Sequence, residues 1–363
     1  VVEYLEIELL TAALNAGLET LLEYLSAHVL TCLVPAFFIA GAIAALLDKE
    51  TVLKYFGRDA SKWLCYPVAA TSGTILAVCS CTILPMFAGI ERRGAGIGPA
   101  TAFLFSGPAI NLLAIILTAR VLGLDLGIAR GLSAITMAVV IGLIMAAVFD
   151  RGDRKCEAVS MSAPVPPQEQ TRYRPGYLNL VFLSLLVAIL LVATTSLVGL
   201  LPKATIVAVL GLSVAYIMRS FYTQEEKAAF LGETWWLTRK IFPLLVAGTF
   251  ITGVIGYFLP VEIIRSIFGS NGFLACFTAS VIGSLLYMPT LLEVPIVGTL
   301  FGYSAGITAP GPALALLLSG PSLSLPNMIV IWRVMGGKKT TVYVMLVVLV
   351  STAVGMIYGA LMG

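Results

Sequence analysis

Apolar runs of bilayer length dominate this chain. Residues 26–47, 126–149, 178–200, 202–218, 241–260 and 341–361 each approach or exceed the roughly 20 apolar residues that a spanning helix needs. A chain with several such runs has lipid as its solvent. Every backbone polar group at depth must then be satisfied within the protein, so helices become the folding unit. Composition agrees, with 59% apolar and 11% charged residues, against roughly 45–50% and 25% in soluble domains.

Two further regions, 64–90 and 273–300, are long enough to cross but are interrupted by Gly and Pro and carry polar residues at their centres. Residues 99–119 and 305–332 are each interrupted by a Ser-Gly-Pro. The polar stretch Asp150–Gly176, with Pro164, Pro166 and Pro167, reads as a flexible linker. Val1–Glu23 is acidic and lacks the basic start of a signal peptide. Asp48–Lys62 and Arg219–Lys240 have the mixed charge of helices lying on the surface.

The two sides of the linker resemble each other. Ser106-Gly107-Pro108 is followed by Arg120-Val121-Leu122-Gly123, and Ser319-Gly320-Pro321 by Arg333-Val334-Met335-Gly336 at the same spacing. Gly73 precedes Pro85 as Gly283 precedes Pro295, and Tyr55-Phe56-Gly57 answers Ile267-Phe268-Gly269. The ordered set implies an internal duplication, about 20–150 and 225–362, joined by two extra spans.

Orientation follows from charge, because Lys and Arg collect on the cytoplasmic side. If every segment crosses, the loops divide the 22 basic residues 11 to 11. If 64–90 and 273–300 enter and leave on one side, the division is 18 against 4, the four being Arg120, Arg130, Lys203 and Arg265. The expected fold is therefore an all-α integral membrane protein of about eight transmembrane helices plus two re-entrant hairpins in inverted-topology repeats, both termini outside. Its parts are an N-terminal repeat (1–150, hairpin about 64–90), a linker with two connecting spans (151–224) and a C-terminal inverted repeat (225–363, hairpin about 273–300). A multi-pass protein of the cell (inner or cytoplasmic) membrane is implied.

Paired broken segments in inverted halves are the sequence pointer to a transporter's binding site. In the first half, Cys79-Ser80-Cys81-Thr82 precedes Pro85. On a helix, two residues apart means about 200° apart, so Cys79 and Cys81 face one ligand only if the backbone there is unwound. A thiolate pair suits soft ions and thiophilic metalloids, while free Cys also serves as a small buried hydrophobe. Ser80 and Thr82 can satisfy backbone groups freed by the break. No structural metal site is expected, because a tetrahedral zinc would need a second ligand pair and the chain has one His, His28.

In the second half Tyr287, Met288, Pro289 and Thr290 stand where the first half has its thiols, and Glu293 stands opposite Ile83. Glu293 is the only acid well inside an apolar segment, and such a group costs roughly 2.5–3.5 kcal/mol at the bilayer centre. Substrate contact and coupling to a proton or counter-charge are its expected roles. Pairing with an Arg or capping a half-helix is the structural alternative. Ser106-Gly107-Pro108 and Ser319-Gly320-Pro321 break their helices, since Pro removes a donor and Gly admits a neighbour. The freed N–H groups can hold an anion or polar substrate, with Asn111 and Asn327 nearby, or the breaks are packing kinks. Arg120 and Arg333 read as snorkelling ends, and Trp63, Trp235, Trp236 and Trp332 as interfacial belts.

Cys79-Ser80-Cys81-Thr82-Ile83-Leu84-Pro85, Gly89, Arg92-Arg93-Gly94-Ala95 and Ser106-Gly107-Pro108 together resemble the signature of the ArsP/YraQ-like predicted permeases. The resemblance extends over nearly the whole chain, including the two halves and the linker. It implies a membrane permease, and the best-described branch of that family exports trivalent organoarsenicals, for which a thiol-bearing path is chemically apt.

The function expected is thus a secondary permease exporting a small thiophilic substrate, such as a trivalent organoarsenical or a soft metal or metalloid species. A carrier of a sulfur-containing anion or small metabolite is the alternative, and a non-transporting subunit of a membrane complex the second. No cofactor is expected, and no P-loop, HExxH, acid pair or Ser/His arrangement suggests an enzyme. The partners are a small-molecule or ion substrate and the bilayer, with self-association open. Nucleic acid is not expected, since basic residues do not cluster with aromatics along the sequence.

Overall fold

The computed structural model describes residues 2–46, 65–70, 80–160, 177–194, 200–258, 261–286, 288 and 292–362. Among these residues every regular element is helical and no strand occurs. Helix α1 (Val2–Tyr24) continues through a π-helical stretch, Leu25–Leu33, into α2 (Val34–Leu46). A helical stretch at 65–70 comes before α3 (Ser80–Arg92). Then follow α4 (Ile97–Ala109), α5 (Leu112–Val121) and α6 (Leu124–Ser160). Helices α7 (Tyr177–Thr194), α8 (Leu200–Phe221), α9 (Gln224–Tyr257) and α10 (Val261–Phe268) lead into the C-terminal region. It holds α11 (Phe273–Leu285), the short α12 (Glu293–Pro295) with its π-helical extension Ile296–Leu300, α13 (Pro310–Ser322), α14 (Leu325–Met335) and α15 (Gly337–Met362).

Four of these helices are long and apolar enough to cross a membrane, within Leu124–Phe149, Leu201–Phe221, Gln224–Tyr257 and Gly337–Met362. Two bent pairs, α4 with α5 at 42° and α13 with α14 at 49°, raise the number to six if each is one span. The chain is thus an all-helical, multi-pass membrane protein. The described residues hold four to six such spans, fewer than the eight expected, because α2, α7 and α11 are apolar but shorter.

Two expectations need correction. Arg219–Lys240 is not a separate surface helix. Thr223 and Glu226 form a reciprocal cap, with Thr223 N donating to Glu226 Oε2 at 2.9 Å and Glu226 N donating to Thr223 Oγ1 at 3.2 Å. From that start α9 is one helix of 34 residues, which continues past Pro243 although that residue supplies no backbone donor. The expected linker also begins late, because α6 continues to Ser160. Helix α1 packs along α9. Gly17 faces Val254 and Phe250, and Gly253 faces Thr20.

The centre is formed by α4 and α13. Every residue of α4 is buried, as is all of α13 after Pro310, which marks helices enclosed on all sides. They touch each other, and α4 packs on α6 as α13 packs on α15. Equivalent bounds are the same number of residues apart: Ile97 and Pro310, Leu112 and Leu325, Leu124 and Gly337. The helix crossings use glycines at that spacing too. A Cβ on Gly98 would stand 2.8 Å from the Gly142 carbonyl, and one on Gly311 would stand 2.8 Å from that of Gly355. Small residues of this kind let helices in lipid approach backbone to backbone.

Charged and polar ends gather in two places. Arg92 of α3, Lys240 of α9 and Arg333 of α14 line one cleft. Elsewhere the Leu122 side chain lies beside Gly298, and Arg265 Nε donates to the Leu300 carbonyl at 2.8 Å.

Candidate substrate site

Each bent pair is built alike. Ser106, Gly107 and Pro108 occupy the last turn of α4, and Ser319, Gly320 and Pro321 that of α13, all buried. The bends themselves fall just beyond, at Ile110-Asn111 and Leu323-Ser324. Proline interferes with the turn before it, so the helix closes its final turn and ends a residue or two later. Asn111 and Ser324, again at equivalent positions, are the N-caps of α5 and α14. Asn111 Oδ1 accepts from Leu113 N at 3.0 Å and Ala114 N at 3.4 Å, so this side chain caps a half-helix. Gly123 and Gly336 close the pattern with φ of 118° and 83°, a region that favours glycine.

The serines of both breaks look toward the preceding arm of their own half. Ser106 Oγ lies 3.1 Å from the carbonyls of Ala69 and Phe103, to either of which it can donate. Ser319 Oγ faces Gly283 of α11.

Glu293 opens α12 with no exposure, and its partner is Arg130. Arg130 Nη2 donates to Glu293 Oε2 at 3.0 Å, and Nη1 donates to Thr118 Oγ1 at 2.9 Å. The Thr118 hydroxyl in turn donates to the Ala114 carbonyl at 2.7 Å. Arg130 is itself wholly buried, one turn and a half into α6. The pair therefore joins α5 and α6 to α12. The other carboxylate oxygen lies over the second break, since a Cβ on Gly320 would stand 2.8 Å from Glu293 Oε1 and 3.3 Å from the Met288 methyl. Among the described residues, Arg130 Nε and Glu293 Oε1 have no hydrogen-bond partner. One donor and one acceptor stay open on a desolvated pair.

Arg130 is the residue that sequence reasoning missed. It had been assigned to a loop with Arg120, Lys203 and Arg265, because a cation near the start of an apolar run normally reaches back to the interface. The available signal was the isolated acid Glu293, whose burial calls for a counter-charge.

The remaining candidates divide as follows. Thr82 is fully buried in the first turn of α3. Ser80 and Cys81 are placed only by their backbone at the start of that helix. Cys79, Tyr287, Pro289 and Thr290 lie outside the described residues. Asn327 is buried in α14. Among the described residues no group of three His, Cys, Asp or Glu is arranged to hold a metal ion.

An open groove of about 370 Å³ lies between α1 and α9, with Leu286, the residue following α11, at its edge. Glu19, Thr20 and Glu23 of α1 and Thr252 and Tyr257 of α9 line it.

This arrangement of buried breaks and a buried ion pair among spanning helices is that of a membrane permease. Residues 15–360 match the ArsP_1 family, described as a predicted permease, and the chain belongs to that family. It is 41% identical over 360 residues to the UPF0718 protein MJ0584 of Methanocaldococcus jannaschii, covering 96% of both chains. It is 21% identical over 304 residues to the UPF0718 protein YraQ of Escherichia coli, covering 83% of this chain and 68% of that one. No solved structure matches it.

Proposed function

We propose that the chain is a secondary permease built of two inverted repeats, whose substrate passes between two re-entrant segments, about 64–90 and 273–300. The observation that carries this reading is the Arg130–Glu293 pair. A buried ion pair adds little stability over apolar side chains of like volume, because desolvation offsets the attraction. Intramembrane ionisable groups instead mark substrate and proton paths. This pair ties the first half to the broken segment of the second, with one valence open on each partner.

Duplication is supported by the matched helix bounds, caps, positive-φ glycines and glycine crossings. Inversion and re-entry are supported by which ends meet. If every segment crossed, Arg333 would be on the far side of the membrane from Arg92 and Lys240, and Leu122 far from Gly298. With both hairpins re-entrant, the first three share one face and Leu122, Gly298 and Arg265 share the other, matching the groupings of the fold.

The substrate proposed is small and thiophilic, a trivalent organoarsenical or a soft metal or metalloid species, moved outward. Cys79 and Cys81 would bind it, Ser80, Thr82, Tyr287 and Thr290 would line its path, and the breaks at Ser106-Gly107-Pro108 and Ser319-Gly320-Pro321 would supply backbone dipoles. Glu293 would couple movement to a proton or counter-charge by leaving and rejoining Arg130. A second reading, a sulfur-containing anion, draws on Arg130, whose guanidinium would take the anion when Glu293 moves away. Flux of a trivalent methylated arsenical into liposomes, measured for the parent, Cys79→Ser, Cys81→Ser and Glu293→Gln, tests the proposal. Loss of flux in the thiol variants supports it. Unchanged arsenical flux in both removes the thiophilic path, and flux of a sulfur-containing anion that fails in Arg130→Gln selects the second reading.

A further inference from the structure

The cleft between α3, α9 and α14 shares no lining residue with the candidate substrate site, and it is built as an amphipathic site. At its mouth Trp236 carries two cations: Arg92 Cζ lies 3.9 Å from the ring centroid and Lys240 Nζ 3.8 Å. Each cation is held by the ring quadrupole. Arg92 is further fixed by Glu233, whose Oε1 accepts from Nη2 at 2.7 Å. Arg333 completes the rim from α14.

The charges do not cancel. Glu233 answers Arg92, and Glu91, in the same cleft, has Lys339 and Arg92 as its electrostatic neighbours. Lys240 and Arg333 have no carboxylate partner among the described residues, and both are exposed. Behind this rim the wall is apolar, formed by Ile241 and Leu244 of α9 and Val334 of α14. A freely diffusing anion needs the rim but not the wall. A molecule carrying an anionic head on an apolar tail needs both, and it is what a membrane supplies beside exposed tryptophan and basic side chains.

We infer that this cleft binds an anionic phospholipid, its phosphate at Lys240 and Arg333 and an acyl chain along Ile241, Leu244 and Val334. The occupant bridges the return arm of the first broken segment, α3, and the second limb of a bent span, α14. It therefore joins elements from the two halves.

The test uses the purified full chain in detergent, with native mass spectrometry counting bound lipid and the thermal midpoint read in parallel. Phosphatidylglycerol is expected to bind and raise the midpoint, and phosphatidylcholine is expected to do neither. Lys240→Gln with Arg333→Gln should weaken phosphatidylglycerol roughly thirtyfold, as loss of two cations near an anionic head implies. Lys240→Arg with Arg333→Lys should keep it, and Arg120→Gln should leave it unchanged. Equal binding of both lipids, retention in the double glutamine variant, or equal protection by inorganic phosphate at the same concentration would each overturn the inference, the last by showing a free-anion site.

Discussion

At the scale of single residues, Arg130 and Glu293 form a neutral pair only while they stay together. Removing one partner leaves a charge in a site with no exposure, which costs about 3–5 kcal/mol, whereas replacing both with apolar groups is often neutral. Arg130→Met and Glu293→Leu are each expected to lower the thermal midpoint in detergent, and the double variant to recover most of that loss while staying inactive in liposomes. A double variant that transports at the parent rate would show the pair to be structural only. Gly320 makes a finer test. Its missing Cβ leaves room for Glu293 Oε1, which would otherwise be 2.8 Å away. Gly320→Ala is expected to fold and insert while losing transport, since the carboxylate must shift from its seat.

Elements set where such residues meet. Asn111 and Ser324 occupy equivalent caps, yet only Asn111 accepts from the half-helix that it opens. Loss of a capping side chain costs typically about 1 kcal/mol. Asn111→Ala should therefore destabilise the protein by roughly that amount, while Ser324→Ala, measured by the same denaturation in detergent, should change it little. Equal losses would mean that the two bends are held in the same way. The breaks were legible in the sequence because Ser-Gly-Pro is rare punctuation inside an apolar run. The position of the bend was not, since it depends on which residue caps the next limb. The continuity of α9 was hidden for another reason: a helix can leave lipid for water without altering its backbone, so the charges between Arg219 and Lys240 read as a separate element. Glu293 stood out alone, but its partner lies 163 positions away, and no local pattern links the two.

For the whole molecule, the ordered motifs of the sequence are echoed by matched helix bounds and glycine crossings, as the proposed duplication requires. The halves are not chemically equal. Glu293 stands where the first half has Ile83, and the thiols at Cys79 and Cys81 have no cysteine counterpart beyond Leu286. On the proposed function, the path would have a soft side and a charged side. Sidedness decides the account. Single cysteines placed at Lys240, Arg333, Arg265 and the exposed Val121, next to Leu122, in a background lacking the native six can be labelled with a membrane-impermeant maleimide in sealed vesicles of known orientation. The account predicts that Lys240 and Arg333 label from one side, and Arg265 and Val121 from the other. Labelling of Arg333 from the side opposite Lys240 would contradict it, because 273–300 would then cross the membrane rather than return.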